Sequence, residues 1–162
     1  LSRLGNVARG INKRAGQFPL RVFDWFCGRT KSSASQTTVL VIGVAFKGDP
    51  ETNDIRGSNG IDIARSLSEQ GARVSVWDAV VTQEQLAHEG FAYASNLAEA
   101  VLRADCIFIM NNHRANANIG ILSPDHKKTL VLLFDGWKMF DREVVESIDG
   151  VIYSTLGYVT PQ

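Results

Sequence analysis

The chain has 162 residues, 44% of them apolar and 21% charged, with 17 basic residues set against 17 acidic ones. That balance suits one soluble globular domain with an attached segment. Zero net charge removes any global attraction to nucleic acid or to an acidic membrane, and no run of about 18 apolar residues offers a membrane span. Two cysteines, Cys27 and Cys106, and three histidines, His88, His113 and His126, form no metal-binding spacing. No metal, no disulfide and a reducing, cytoplasmic setting are therefore expected. The chain starts at Leu1 with neither an initiating methionine nor the apolar core of a signal peptide. A segment of a longer protein is the expectation.

Residues 1–28 read as a partly helical arm, basic and apolar. Arg3, Arg9, Lys13, Arg14 and Arg21 face a single acid, Asp24. Val7, Ile11 and Ala15 share a helical face, and Pro19 should break the helix before Leu20, Val22, Phe23 and Phe26 resume the pattern. An arm this apolar packs on its own domain, on a twin chain or on another domain. Residues 29–38, rich in Ser and Thr, read as a linker, and residues 39–162 as the domain proper.

The domain alternates strand and helix signals. Strands are expected at Val39–Gly43, Arg73–Trp77, Cys106–Met110, Leu130–Phe134 and Val151–Tyr153, with a minor edge strand at Phe91–Ala94. Helices are expected at Asn59–Gln70, Thr82–Glu89, Asn96–Arg103 and Arg142–Ser147, with Gly71 and Gly90 as stops. The alternation predicts an α/β fold, a Rossmann-like open and mainly parallel sheet with helices on both faces. Ligands of such sheets bind beyond the C-terminal strand ends. That rule selects residues 45–58, 77–80, 111–118 and 135–140.

The first of these loops runs Gly43-Val-Ala-Phe-Lys-Gly-Asp-Pro-Glu-Thr-Asn-Asp-Ile-Arg-Gly-Ser58. It is neither the Gly-x-Gly-x-x-Gly of dinucleotide sites nor a P-loop, since Asp49-Pro50 stands where Lys-Ser/Thr belongs. Lys47 offers an ammonium and Arg56 a planar fork, and Ser58 is placed to cap the following helix. Two cations beside a helix N-terminus make an anion site. Alternatively, Arg56 pairs with Asp54 or Asp49 and ties the loop down. Asp78 suits a turn or cap better than a ribose contact, and His113 suits loop stabilisation. His88 reads as an exposed helix residue.

Gly43-Val-Ala-Phe-Lys47, Asn53-Asp-Ile-Arg-Gly-Ser58 and Val-Ser-Val-Trp-Asp78 together resemble the C-terminal domain of the UDP-glucose/GDP-mannose dehydrogenase family. Ala8-Arg-Gly-Ile-Asn12 resembles the end of that family's central helix, and Asp135-Gly136 its late Asp-Gly-Arg. The resemblance implies an enzyme of polysaccharide biosynthesis that oxidises a nucleotide-sugar C6 alcohol to the carboxylate. It implies NAD bound mainly by a separate N-terminal domain, a nucleophilic cysteine there, and a homodimer. Phe46, Lys47 and Lys138 are then expected at the nucleotide sugar, Arg56 at the NAD, and Asp54 and Ser58 as loop-shaping neighbours. No catalytic residue is expected in this chain, because Cys27 matches no nucleophile motif, and the chain alone is expected to be inactive. Trp137 stands where the family carries a substrate-binding arginine. It is expected to pack, with stacking on a ring as the alternative. The competing functions are a non-catalytic dimerisation or scaffold module and a stand-alone nucleotide sensor.

Overall fold

A computed structural model describes residues 16–118, 120 and 130–159. The helical face of Val7, Ile11 and Ala15, the Ala8–Asn12 motif and His126 lie outside the described residues.

Helix α1 spans Phe18–Thr30 and starts with Pro19 in its first turn, where a missing N–H costs nothing. The expected break at Pro19 is therefore this helix's beginning. Strand β1 is Thr38–Ile42, followed by helix α2 at Asn59–Glu69, strand β2 at Arg73–Trp77 and helix α3 at Gln83–His88. A short strand β3 (Ala92–Tyr93), helix α4 (Leu97–Arg103) and strand β4 (Cys106–Ile109) come next. Strand β5 (Val131–Asp135), helix α5 (Arg142–Glu146), strand β6 (Val151–Thr155) and strand β7 (Tyr158–Val159) complete the order. The antiparallel β7 carries too few residues to leave a signal in the sequence. Caps set most helix starts. Ser58, Thr82, Asn96 and Asp141 accept backbone N–H groups at α2, α3, α4 and α5.

The seven strands lie in the order β3-β2-β1-β4-β5-β6-β7, parallel except for β7. The order reverses between β1 and β4, which makes their C-terminal ends the switch point of the sheet. Alternation along each strand sends side chains to two cores. Val39, Val41, Cys106, Phe108, Leu132, Phe134 and Ile152 meet Val22, Phe23 and Phe26 of α1 and Ile61, Ile63, Ala64 and Leu67 of α2. Leu40, Ile42, Ile107, Ile109, Leu133 and Tyr153 meet Val101 of α4 and Val145 of α5 on the other face.

Helix α1 thus packs on its own domain. Phe18 meets Phe134 of β5 with ring centroids 6.2 Å apart. The segment joining α1 to β1 is also ordered. Its turn at Ala34–Gln36 is gripped by Arg73, whose guanidinium donates to the carbonyls of Ser35 and Gln36 at 3.3 and 2.8 Å. Cys106 is fully buried, and that burial pushes its thiol well above the ordinary value. Cys27 is partly buried and its thiol is also pushed up, chiefly by desolvation. Both cysteines are free. Among the described residues no helix is long and apolar enough to cross a membrane.

The fold sets two expectations. Phe23→Ala, which opens a cavity under α1, should lower stability by about 3–5 kcal/mol in urea unfolding. A loss below 1 kcal/mol would mean that α1 is not part of this core. In native protein a thiol reagent should label Cys27 slowly and leave Cys106 unmodified until the chain is unfolded.

Candidate functional site

The long loop after β1 is held by polar side chains at the ends of the neighbouring strands. Asp78, at the end of β2, is buried and accepts four hydrogen bonds. One carboxylate oxygen takes the Ala45 N–H at 2.9 Å and the Asn111 amide at 3.3 Å. The other takes the N–H groups of Val80 and Val81 at 2.8 and 3.1 Å. Every donor is supplied by this chain, so Asp78 is a turn anchor and is not offered to a ribose. Asn111 also donates to the Ala45 carbonyl and accepts from the His113 N–H and the Asn116 amide.

The outer half of the loop is tied to the segment after β4. Asn112 accepts the N–H groups of Gly48 and Asp49 at 3.2 and 3.1 Å. His113 accepts the Ala115 N–H at Nδ1, and its Nε2 lies 2.9 Å from Glu51. With Nδ1 accepting, the ring proton sits on Nε2 and is donated to Glu51. Gly48 is required here, because a Cβ on it would collide with the His113 backbone. The sequence pointed to His113 for loop stabilisation and missed Asn111 and Asn112. The signal was there: two amides directly after an apolar strand, on the ligand-facing edge.

Asp54 and Arg56 resolve the two alternatives left open by the sequence. The Arg56 guanidinium forks onto Asp54 through two bonds of 2.9 and 2.7 Å, and its N–H also donates to Asp54. The pair holds the Asp54 carboxyl down to about 2. Arg56 therefore ties the loop, yet its side chain is 88% exposed and open to a group approaching from outside. The Phe46 N–H donates to the Asp54 carbonyl at 2.7 Å, so the same turn sets the position of Phe46. Ser58 caps α2 by accepting the Gly60 and Ile61 N–H groups. A Cβ on Gly60 would lie 2.8 Å from the Gly43 carbonyl, which shows how closely the helix start approaches β1.

These constraints leave a cleft of about 550 Å³ over the C-terminal ends of β4 and β5. Phe46, Gly57 and Asn59 come from the loop and the start of α2. Met110, Phe134, Gly136 and Trp137 come from β4 and β5, Pro19 from α1, and Leu156 from the β6–β7 turn. Among the described residues no charged side chain lines it. Instead Lys47, Arg56 and Lys138 each neighbour a lining residue in the chain, at Phe46, Gly57 and Trp137. The Lys47 ammonium sits 5.8 Å from the Phe46 ring centroid. The three cations expected at the site thus adjoin its lining in sequence, and none of them is part of that lining.

The turn carrying Trp137 and Lys138 hangs on Asp135, which is fully buried. Asp135 accepts the Trp137 and Phe140 N–H groups at 3.2 and 2.9 Å and the Tyr153 hydroxyl at 3.2 Å. Burial, with Asp135 adding to it, pushes the Tyr153 hydroxyl above its ordinary value. Lys138 takes a left-handed conformation, φ 54°, which lets the turn close. Trp137 does not pack away as the sequence suggested. It is 51% exposed in the cleft wall. Among the described residues no group of His, Cys, Asp and Glu is placed to hold a metal.

Two outcomes test this geometry. Asp78→Ala strands four donors, three of them backbone N–H groups, and should cost about 3 kcal/mol in thermal or urea unfolding. In a carboxyl NMR titration Asp54 should protonate near pH 2 and return toward the ordinary range of about 3.9 in Arg56→Ala. The sign follows from a lowered folded value: the Asp54–Arg56 pairing contributes at neutral pH and is lost as pH falls through about 2.

Residues 40–142 match the model of the UDP-glucose/GDP-mannose dehydrogenase family, UDP binding domain. UDP-glucose 6-dehydrogenase TuaD of Bacillus subtilis (strain 168) is 27% identical over 127 residues, which are 77% of this chain and 27% of that protein. NDP-N-acetyl-D-galactosaminuronic acid dehydrogenase from Methanosarcina mazei Go1 shares the fold at a TM-score of 0.78 and 21% identity, covering 98% of this chain and 32% of that one. UDP-D-ManNAc dehydrogenase from Pyrococcus horikoshii does so at 0.74 and 22%, covering 93% and 32%. The chain therefore spans about a third or less of these relatives' length. The family match takes in β1, the anchored loop and the Asp135 turn, and with them both sides of the cleft: the chain belongs to the UDP-glucose/GDP-mannose dehydrogenase family, in the part that is its UDP binding domain.

Proposed function

We propose that this chain is the C-terminal, nucleotide-sugar-binding part of an NAD-dependent nucleotide-sugar 6-dehydrogenase. The observation that carries the reading is the cleft itself. Among the described residues its lining is uncharged and partly aromatic, and it lies beyond the C-terminal ends of β4 and β5 in a Rossmann-like sheet, with Lys47, Arg56 and Lys138 each next in sequence to a residue of its lining. Phe46 and Lys47 hold the nucleotide sugar, and Lys138 supplies charge where the family's arginine would. A single ammonium gives Lys138 a point charge without a bidentate fork. Asp54 and Ser58 shape the loop that presents Phe46.

The residues present do not fit NAD as a self-sufficient cradle. The turn after β1 has no Gly-x-Gly-x-x-Gly, and the Asp78 carboxylate is filled by the chain's own donors. NAD in the complete enzyme is held by another domain, with Arg56, exposed and already oriented by Asp54, reaching toward it across the interface. The hydride transfers belong to NAD, and this chain contributes no nucleophile to them. Alone it binds without turnover. A homodimeric, cytoplasmic enzyme is the setting that agrees with this reading.

Calorimetric titration of the chain with UDP, UDP-glucose and GDP-mannose tests it. At least one nucleotide should bind saturably. Lys47→Ala should weaken that binding about ten-fold, the loss of one charge-assisted bond. No saturable binding of any of the three would overturn the reading in favour of a scaffold.

A further inference from the structure

Six large apolar side chains are strongly exposed among the described residues, and three of them, Phe46, Trp137 and Leu156, line this one cleft. Trp137 is the most constrained of the three. Its indole Nε1–H donates to the Met110 carbonyl at 2.9 Å, and its backbone N–H donates to Asp135 at 3.2 Å. One bond fixes the turn and the other fixes the ring. A half-exposed indole held at both ends is a preset surface, not a side chain left loose at the edge.

The ring's surroundings indicate which part of a nucleotide it meets. Among the described residues no charged side chain lines the cleft, and a phosphate placed against that lining would lose water without gaining a counter-charge from it. The cations at positions 47, 56 and 138 are each one residue outside the lining. The uncharged, planar end of the ligand belongs inside, and the diphosphate at the edge. A volume of about 550 Å³ suits a base with its ribose.

Resting on the nucleotide-binding reading above, we propose that Trp137 is the stacking platform for the nucleobase of the bound nucleotide. Its indole face then supplies by ring contact what an arginine at this position would supply by charge. Stacking tolerates any base, so Trp137 contributes affinity and orientation, and discrimination between bases comes from elsewhere. Phe46, on the loop after β1, lines the same cleft.

The test is a titration of the full chain with UDP, and separately with glucose 1-phosphate, which lacks a base. Binding is read by calorimetry and by tryptophan emission. Trp25 and Trp77 also emit, so the difference between wild type and Trp137→Phe isolates the indole at 137. UDP should quench wild-type emission. Trp137→Phe should lose most of that quench and keep its affinity within about three-fold, and Trp137→Ala should bind UDP about ten-fold more weakly. Trp137→Ala should leave the response to glucose 1-phosphate unchanged. If wild type binds UDP in a manner that depends on Lys47 while Trp137→Ala binds it equally well, the stacking role is wrong and the nucleotide site stands. If wild type binds no nucleotide, the site itself is wrong. Matching thermal transitions for the Phe and Ala variants separate lost stacking from lost folding.

Discussion

The carboxylate of Asp78 governs the ligand-facing edge of this domain. A parallel sheet ends in a row of loops whose backbone groups need partners, and a loop of sixteen residues after β1 has many such groups. Asp78 gathers the start of that loop, the turn after β2 and the Asn111 amide on one buried group. A buried carboxylate is tolerable only because four donors surround it. Those donors, in turn, give three separate chain segments one shared reference point. Asn111 and Asn112 carry the fastening outward to Gly48 and Asp49.

Asp135 repeats the device three strands away, where it sets the turn of Trp137 and Lys138. Between the two anchors lies the cleft. Its walls come partly from loops, yet those loops are bonded to strand ends, so the site inherits the rigidity of the sheet. The price of this arrangement is that the acids at the strand ends are not available for ligand chemistry. Among the described residues the cleft lining that remains is partly aromatic, with Lys47, Arg56 and Lys138 next to it in sequence.

Helix α1 adds a further consequence. It covers the part of the sheet near β5 and contributes Pro19 to the cleft wall. The same apolar face that buries Val22, Phe23 and Phe26 thus closes one side of the site. Packing on the sheet and lining of the cleft are thus joined in one element.

Much of this was legible in the sequence. Continuous apolar runs marked β1, β4 and β5 because strands covered on both faces cannot alternate, and Ser58, Gly71 and Gly90 marked helix ends by capping chemistry that acts within a few residues. The loop at 43–58 stood out by composition. Local signals could not say where the Arg56 fork would go, since Asp54 and an outside anion offer it the same bond and only the folded turn decides. Nor could they show that Trp137 stays exposed. An indole after Asp-Gly packs or projects according to whether a carbonyl on the next strand accepts its N–H, and Met110 does. The roles of Asn111 and Asp135 were likewise set in part by partners 66 and 18 positions away, whereas the turn role read for Asp78 was borne out. Sequence determined the strands, the helices and the residues at their ligand-facing ends, because those depend on periodicity and near neighbours. Tertiary structure alone decided which of those residues hold the protein together and which are left to a ligand, because Asp78, Asn111, Asp135 and Trp137 each take at least one partner from a distant part of the chain.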